Sequence, residues 1–322
     1  MSNLGFWKKL KRPIFCLAPM ADVTDCVFRQ IIAKYGKPDV FWTEFVSADG
    51  LAHPVAREKL LIDLKFTEKE HPIVAQIFGG KPENIKSASA LCKKLGFDGI
   101  DINMGCPDKS IERQCAGASM IKDVQLAKEV IRAAKEGGGG LPISVKTRIG
   151  YNKNEIDTWI RALLEEDLAV LTVHLRTRKE MSNVPAHWEL MKDIVKIRDE
   201  MKKETLIFGN GDAVDIQDAK QKILETGCDG VMLGRAIFGN PWLFSGPLGK
   251  IPTLKEKLQV MIEHTKLFEE KLGKYKNFAI MKKHYKAYVN GFDGAKELRV
   301  KLMEAKNATE VENITNDFFL EF

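Results

Sequence analysis

The amino-acid sequence predicts an α/β protein: a (β/α)8 TIM barrel over residues 1–249, followed by a small C-terminal all-helical domain over residues 250–322. Three observations support this prediction. About eight short apolar runs recur along the chain, helix-like segments separate them, and no such run follows residue 244. Each run is apolar almost throughout, as in strands buried on both faces. Their regular alternation with helices is typical of a parallel sheet.

The strand candidates are rich in β-branched residues. They are residues 14–20, 39–45, 73–79, 99–105, 143–150, 168–176, 205–212 and 230–236. Amphipathic stretches such as "PENIKSASALCKKLG" and "QLAKEVIRAAKEG" lie between them and predict helices. A doubly wound open sheet is the alternative architecture for this alternation.

The residues at the carboxyl ends of these runs favour the barrel. Nearly every run ends in residues suited to ligand contact: Pro19, Met20, Glu44, Gln76, Asn103, Cys106, Lys146, Arg148, His174, Arg176, Asn210, Gly211, Asp212, Gly234 and Arg235. In a barrel these ends converge on one mouth, where barrel enzymes keep their active sites. An open sheet would scatter them.

The C-terminal segment has a different character. After the Gly- and Pro-containing stretch "SGPLGKIP" the strand pattern stops, and helical patterns continue to the end of the chain. Residues 271–301 contain nine Lys or Arg and two acidic residues, with aromatic residues interleaved. This pattern fits either a nucleic-acid surface or a solvated helical face over buried aromatic residues.

Composition excludes several classes of protein. No apolar run approaches the roughly 20 residues of a membrane span, which predicts a cytoplasmic protein without membrane contact. The six cysteines form no C-x-x-C pair, and Cys106 and Cys115 have no ligand partner at zinc spacing, so neither a metal site nor a disulfide framework is expected. A formal charge of +6 only mildly suggests a polyanionic partner.

Four residues at the strand ends suggest chemistry. Cys106 lies between a glycine and a proline, and it is either a small buried hydrophobe or a reactive thiol. "GNGD" and "LGRA", on consecutive strands, favour a phosphate site in which Arg235 supplies a cation. Lys146 is costly inside an apolar strand unless it faces a polar site, although a lysine at a strand end can reach water. His174 is either a core histidine or a site residue.

Taken together, the motifs resemble the tRNA-dihydrouridine synthase family over essentially the whole chain. The matching segments are "LAPMADVTD", "AQIFGG", "INMGCP", "SVKTRIG", "VHLRTR", "GNGD", "MLGRAIFGNPWLF" and the tail motif "MKKHYKAYVNGFDGAKELR". The resemblance implies an FMN-dependent enzyme that reduces the C5–C6 double bond of selected uridines in tRNA, with NADPH as the reductant. It also implies that Cys106 donates the proton that follows hydride transfer, since a thiol is mostly protonated near neutral pH.

The same resemblance implies roles for further residues. Those expected to bind FMN are Pro19, Met20, Ala21, Gln76, Lys146, His174, Asn210, Gly211, Asp212, Gly234 and Arg235. Asn103 would engage the uracil, as the family's amide does. From the basic helical tail we predict that Lys282, Lys283, His284 and Arg299 face the tRNA, and Arg176 and Arg178 are further substrate-binding candidates. Nothing in the tRNA reaction requires more than a monomer.

Two features depart from the family pattern. Val184-Pro185 stands near a position where the family usually has glycine, and Cys115 is a second thiol near the expected acid. Cys115 is expected to be structural or to substitute weakly for Cys106. Three alternatives remain: a flavin barrel resembling dihydroorotate dehydrogenase, a tRNA-binding protein without catalysis, and a flavin-free aldolase-like barrel that uses Lys146.

Overall fold

The structure is a computed structural model that describes residues 3–246 and 251–321. Within these residues one parallel sheet contains nine strands, in the order β1-β9-β8-β7-β6-β5-β4-β2, with β3 paired to β4 beside β2. The strands are Ile14–Leu17 (β1), Phe41–Trp42 (β2), Val46–Ser47 (β3), Ile73–Phe78 (β4), Gly99–Met104 (β5), Ile143–Arg148 (β6), Val170–His174 (β7), Leu206–Asn210 (β8) and Gly230–Leu233 (β9). Cys16 pairs with Val40 and closes the sheet into a barrel. The barrel prediction is therefore confirmed, and the open sheet is excluded.

Of the predicted strands, the second, 39–45, differs most from the strand in the structure. It ends at Trp42, and pairing with β4 resumes only at Val46. The Thr43 N–H still donates to the Val74 carbonyl of β4 at 3.0 Å, but the next bond from β4, that of the Gln76 N–H, goes to the Thr43 side-chain Oγ1 at 3.0 Å. Glu44 leaves the ladder, and its Oε1 accepts from the Asp22 N–H at 2.5 Å.

Helices surround the barrel as the alternation predicted. In the barrel region they are Cys26–Tyr35 (α1), Ala48–Ala52 (α2), Pro54–Leu60 (α3), Pro82–Lys94 (α4), Lys109–Glu112 (α5), Val124–Gly138 (α6), Ile156–Leu164 (α7), Met191–Glu200 (α8) and Ile216–Thr226 (α9). Local signals set their ends. Asp123 caps α6 by accepting from the Leu126 N–H, and Gly139 ends that helix in a left-handed conformation.

The chain after residue 251 is helical, as predicted. Its helices are Leu254–Leu272 (α10), Met281–Tyr288 (α11), Ala295–Glu304 (α12) and Ala308–Glu321 (α13). The predicted boundary near residue 250 lies outside the described residues. Among the described residues, no helix combines the length and the apolar character that crossing a membrane requires.

The C-terminal helices α10 to α13, referred to below as the helical segment, pack on the barrel through α1, the helix that connects β1 to β2. Phe28 of α1 stacks on His264 of α10 with 4.9 Å between ring centroids, and His284 of α11 contacts both rings. At the end of α1, Tyr35 donates to Glu263 at 2.5 Å. Side chains of both regions belong to one continuous hydrophobic core.

Candidate active site

A cavity opens at the carboxyl ends of β1 and β6 to β9, and its empty volume is about 750 Å³, the open mouth included. Nine residues that the sequence predicted for a cofactor line it: Pro19, Met20, Lys146, His174, Asn210, Gly211, Asp212, Gly234 and Arg235. Arg176, which the sequence placed with the substrate, lines the same cavity. The strand ends therefore converge as the barrel requires.

Two predicted cofactor residues lie elsewhere. Ala21 is exposed in the loop that follows β1, and it does not line the cavity. Gln76 is completely buried in β4, and its side chain is hydrogen-bonded to Asp101 and Asn103. The Gln76 side chain therefore lies in the barrel interior and does not line the cavity.

Lys146 reaches the cavity from the middle of the sheet. It lies in β6, in register with Asn103 on one neighbouring strand and Thr172 on the other. Its Nζ donates to Asn210 Oδ1 at 3.0 Å, and Asn210 Nδ2 donates to the Met232 carbonyl at 2.8 Å. Burial, together with the nearby Arg148, lowers the pKa of Lys146 to about 8. The ammonium is still mostly charged at pH 7, and it faces the site rather than open water.

His174, at the end of β7, is neutral. Burial lowers its pKa well below the usual value, and the surrounding cations, Lys146 first, act in the same direction. Arg176 Nη1 lies 3.1 Å from His174 Nε2. Because a guanidinium can only donate, Nε2 accepts, and the ring proton is on Nδ1.

Arg176 and Arg235 both bind the carboxylate of Asp212, Arg176 at Oδ2 and Arg235 at Oδ1, each at 2.5 Å. Burial alone would raise the pKa of Asp212, but Arg176, the Ala186 N–H and Arg235 together hold it below the usual value. Arg176 Nε also donates to the Val184 carbonyl at 2.6 Å. These contacts hold the segment around residues 184–186, where the sequence departs from the family pattern.

The turn before Asp212 requires glycine. Gly211 has φ +124°, and a Cβ there would lie 2.9 Å from the Cβ of Ala186. A side chain at this position is therefore excluded both by backbone conformation and by space. The turn brings the backbone after β8 close to the cavity.

Cys106 follows β5 and is half-buried. Its N–H donates to Asn103 Oδ1 at 2.9 Å, and its carbonyl accepts from the Ala118 N–H at 2.9 Å. Burial raises the pKa of the Cys106 thiol. The thiol is thus protonated at neutral pH. Cys115, in contrast, is exposed.

Arg178 is held by protein groups outside the cavity wall. Its guanidinium binds both carboxylate oxygens of Glu112, with Nε 2.9 Å from Oε1, and lies 5.4 Å from the ring centroid of Tyr151. This arrangement positions Arg178 near the segment that carries Cys106, because it also reaches the Pro107 carbonyl at 3.4 Å.

Comparison with known proteins identifies the family. A family model described as dihydrouridine synthase matches residues 16–322. The chain belongs to the dihydrouridine synthase family. Its membership makes the protein an oxidoreductase and confirms the resemblance seen in the sequence.

The chain is similar to its relatives over nearly their whole length. It is 44% identical over 316 residues to a probable tRNA-dihydrouridine synthase 2 of Bacillus subtilis (strain 168), covering 98% of this chain and 96% of the relative. It is 42% identical over 319 residues to a probable tRNA-dihydrouridine synthase of Staphylococcus aureus (strain Mu50), covering 98% and 95%. A solved structure of a morphinone reductase mutant in complex with tetrahydroNAD has a TM-score of 0.51 at 14% identity, covering 76% of this chain and 90% of the other. This last likeness concerns the fold alone.

The four predicted tail residues lie in different environments. Lys283 is exposed and its Nζ lies 3.6 Å from Asp22 Oδ2, in the loop after β1 at the barrel mouth. Lys282 is half-buried, and Arg299 donates to the Val289 carbonyl at 2.7 Å.

The prediction that His284 faces RNA is wrong, because its side chain is completely buried. The ring packs among Phe28, Phe238 and His264. Burial lowers the pKa of His284 to about 3, so the ring is uncharged at neutral pH.

Sequence reasoning missed one buried and one half-buried charged residue. Asp101 lies inside β5 with no exposed surface, and a carboxylate within the apolar run "GIDINM" was a visible signal. Lys276 binds Glu44 Oε2 at 3.0 Å and Asp63 Oδ1 at 2.7 Å, and no local pattern indicates partners so distant in sequence. Over residues 3–246 and 251–321, no cluster of three or more His, Cys, Asp or Glu side chains is placed to hold a metal ion.

Proposed function

We propose that the protein is a tRNA-dihydrouridine synthase that binds FMN in the mouth cavity, uses NADPH as its reductant and donates a proton from Cys106. The observation that carries the proposal is the mouth cavity, lined by Lys146, Asn210 and Arg235, in a chain that belongs to the dihydrouridine synthase family. The relatives' names support tRNA as the substrate.

The chemistry of the cavity wall fits FMN. Lys146, Arg176 and Arg235 line the cavity together with one carboxylate, that of Asp212, so the wall suits an anionic group. Arg235 is largely exposed and would hold the phosphate, assisted by backbone N–H groups at the Gly211 turn. Lys146 would lie beside the ring. When bound, FMN supplies the reducing equivalents for the C5–C6 double bond.

Cys106 would complete the addition of hydrogen to the uracil ring. Saturating a C5–C6 double bond requires a proton as well as a hydride, and the thiol holds that proton at Sγ over the neutral range because burial raises its pKa. The residue is half-buried rather than sealed, so solvent can return the proton after each turnover. The thiol acts as an acid, and it needs no thiolate character.

The helical segment would hold the tRNA. A uracil in folded RNA must leave its stack to enter a barrel mouth, and the protein must bind the surrounding phosphates while it does so. Lys283 supports this role because it is exposed and lies next to the loop after β1, at the mouth. Lys282 and Arg299 are further candidates, whereas His284 is not.

The decisive experiment is a product assay. Purified protein is incubated with NADPH and unmodified tRNA, the RNA is digested, and nucleosides are analysed by mass spectrometry. Dihydrouridine in the complete reaction, and none without NADPH, supports the proposal. Yellow protein that NADPH reduces but that forms no dihydrouridine would indicate a small-molecule flavin reductase, and colourless inactive protein would indicate a binding protein.

A further inference from the structure

A chain of hydrogen bonds runs through the barrel interior from β5 to the segment that carries Cys106. Asp101 Oδ2 accepts from Gln76 Nε2 at 2.6 Å, and Gln76 Oε1 accepts from Asn103 Nδ2 at 3.0 Å. Asn103 Oδ1 then accepts from the N–H groups of Gly105, at 3.1 Å, and Cys106, at 2.9 Å. Each link joins a donor to an acceptor without interruption.

The two ends of this chain fix the orientation of both amides. The Cys106 N–H can only donate, so Asn103 must present its oxygen there and its NH2 group to Gln76. Gln76 must then present its oxygen to Asn103 and its NH2 group to Asp101. An ionised carboxylate, which only accepts, is the matching end group.

The chain is shielded from water, which would otherwise compete for these bonds. Asp101 and Gln76 have no exposed surface, and Asn103 is almost completely buried. Ser144 Oγ donates to the second oxygen of Asp101 at 2.6 Å, which fixes the carboxylate. A buried network of this kind is well defined when every member is satisfied, and unstable when one member is removed.

We propose that Asp101 is a positioning residue for uridine reduction: acting through Gln76 and Asn103, it fixes the backbone segment that presents the Cys106 thiol. Asp101 touches neither the cavity nor the thiol. The inference rests on the proposed role of Cys106 as the proton donor. In this proposal Asn103 also holds the backbone at Cys106, in addition to the uracil contact expected from the family resemblance.

The test compares Asp101→Leu with Asp101→Asn. Leucine removes the acceptor, so Gln76 loses its fixed orientation. Asparagine keeps an oxygen for Gln76 and can donate to Ser144, whose hydroxyl already lies 3.4 Å from the Ile100 carbonyl and can turn to it. We expect Asp101→Leu to lower kcat for dihydrouridine formation by about 10- to 100-fold, with KM for tRNA and the rate of flavin reduction by NADPH unchanged. Asp101→Asn should retain most of the activity.

A second pair of measurements covers the case in which Asp101→Leu folds poorly. Gln76→Met breaks the same chain at its next link, and the Asp101→Leu/Gln76→Met double variant should be no slower than the slower single variant, because both act through one path. Separately, the rate of Cys106 alkylation by iodoacetamide in FMN-free protein, followed on the peptide by mass spectrometry, should change several-fold in Asp101→Leu and not in Asp101→Asn.

The outcomes distinguish the proposed function, the role of the Cys106 thiol and the positioning role of Asp101. Wild-type protein that forms no dihydrouridine contradicts the proposed function, and Cys106→Ala protein that is as fast as wild type contradicts the role of the thiol. If both of those proposals hold, a full kcat in folded Asp101→Leu, multiplicative losses in the double variant, or an unchanged alkylation rate would overturn the positioning role.

Discussion

Arg176 and Arg235 share the carboxylate of Asp212 but differ in exposure: the side chain of Arg176 is 3% exposed and that of Arg235 is 67% exposed. Each binds one oxygen at the same distance, 2.5 Å. The pair therefore allows a buried and an exposed ion pair to be compared on one acid, at the edge of the proposed cofactor site.

Arg176→Leu should destabilise the protein more than Arg235→Leu. When Arg176 is removed, Asp212 keeps Arg235 and the Ala186 N–H but loses its buried partner, and the Val184 carbonyl loses its Arg176 donor, so we expect a cost of about 1–3 kcal/mol. An exposed pair contributes about 0–1 kcal/mol. Urea unfolding of the FMN-free variants measures both values. Equal losses would show that Arg176 does not hold the segment around residues 184–186. Arg235→Leu should instead weaken FMN binding, which flavin titration measures.

Cys106→Ala should slow dihydrouridine formation by about 10²- to 10⁴-fold, the usual contribution of a positioned acid, and leave flavin reduction by NADPH unchanged. Because burial raises the thiol pKa, Cys106 should stay protonated through the ordinary thiol range near pH 8.5 and ionise only above it, which the rate of Cys106 alkylation against pH measures. The matched control is Cys115→Ala, at an exposed thiol, which should keep wild-type activity. Alkylation of Cys106 that already rises steeply near pH 7 would contradict the raised thiol pKa, and wild-type activity in Cys106→Ala would exclude Cys106 as the acid.

Lys276→Met should destabilise the protein more at pH 8 than at pH 5.5. Burial raises the pKa of Glu44 to about 7, although Lys276 opposes the shift, so folding binds a proton at Glu44 and this group's contribution to stability is lost as pH rises towards 7. Without Lys276 the folded-state pKa rises further, and the penalty extends to higher pH. We expect a loss of about 3–5 kcal/mol at pH 8, smaller by about 1 kcal/mol or more at pH 5.5, measured by urea unfolding.

The control for this variant is the Lys276→Met/Glu44→Gln double variant. A neutral amide at residue 44 removes the uncompensated charge, so the dependence of the loss on pH should disappear. If the single variant shows the same loss at both pH values, Glu44 is not the group that responds to Lys276.

Replacing Lys282 and Lys283 together by glutamine should weaken tRNA binding and lower the slope of log Kd against log salt concentration by roughly one for each phosphate that the variant no longer neutralises. The rate of flavin reduction by NADPH should not change, because neither lysine lines the cavity. Lys196→Gln is the matched control: its side chain is 74% exposed, but it lies on α8, outside the helical segment. An unchanged salt slope in the double variant would remove these lysines from the tRNA surface.

Much of the fold and of the cavity could be predicted because the relevant signals are local. A strand buried on both faces is apolar along its whole length, and the residue at its carboxyl end faces the mouth in any parallel barrel. Lys146, Asn210 and Arg235 follow this rule, and the structure brings them to one cavity.

The wrong and the missed residues are those whose environment depends on helical periodicity or on partners far away in the sequence. His284 was assigned to the RNA-facing side as part of the basic helical tail, yet Met281, Tyr285 and Tyr288 have helical spacing with it and share its buried face. The Glu44–Lys276 pair joins residues 232 positions apart, and only the packing of the helical segment on the barrel creates it. Arg176 turns back into the cavity because its N–H donates to the His174 carbonyl, a tight turn with no sequence signature.

The closure of the barrel has a consequence for how the chain can be divided. Among the described residues, β1 and β2 meet through the single pair Cys16 and Val40, where Asp39 N–H donates to the Phe15 carbonyl at 3.0 Å, while β6 and β7 pair over five positions. The shortest junction is where amide hydrogens should exchange first. It is spanned by α1, and α1 is covered by α10. Truncation after the barrel would remove α10, which packs on α1 at this junction. We therefore expect that the barrel alone does not form a stable catalytic fragment. The helical segment that is proposed to bind tRNA should therefore also stabilise the closure of the barrel.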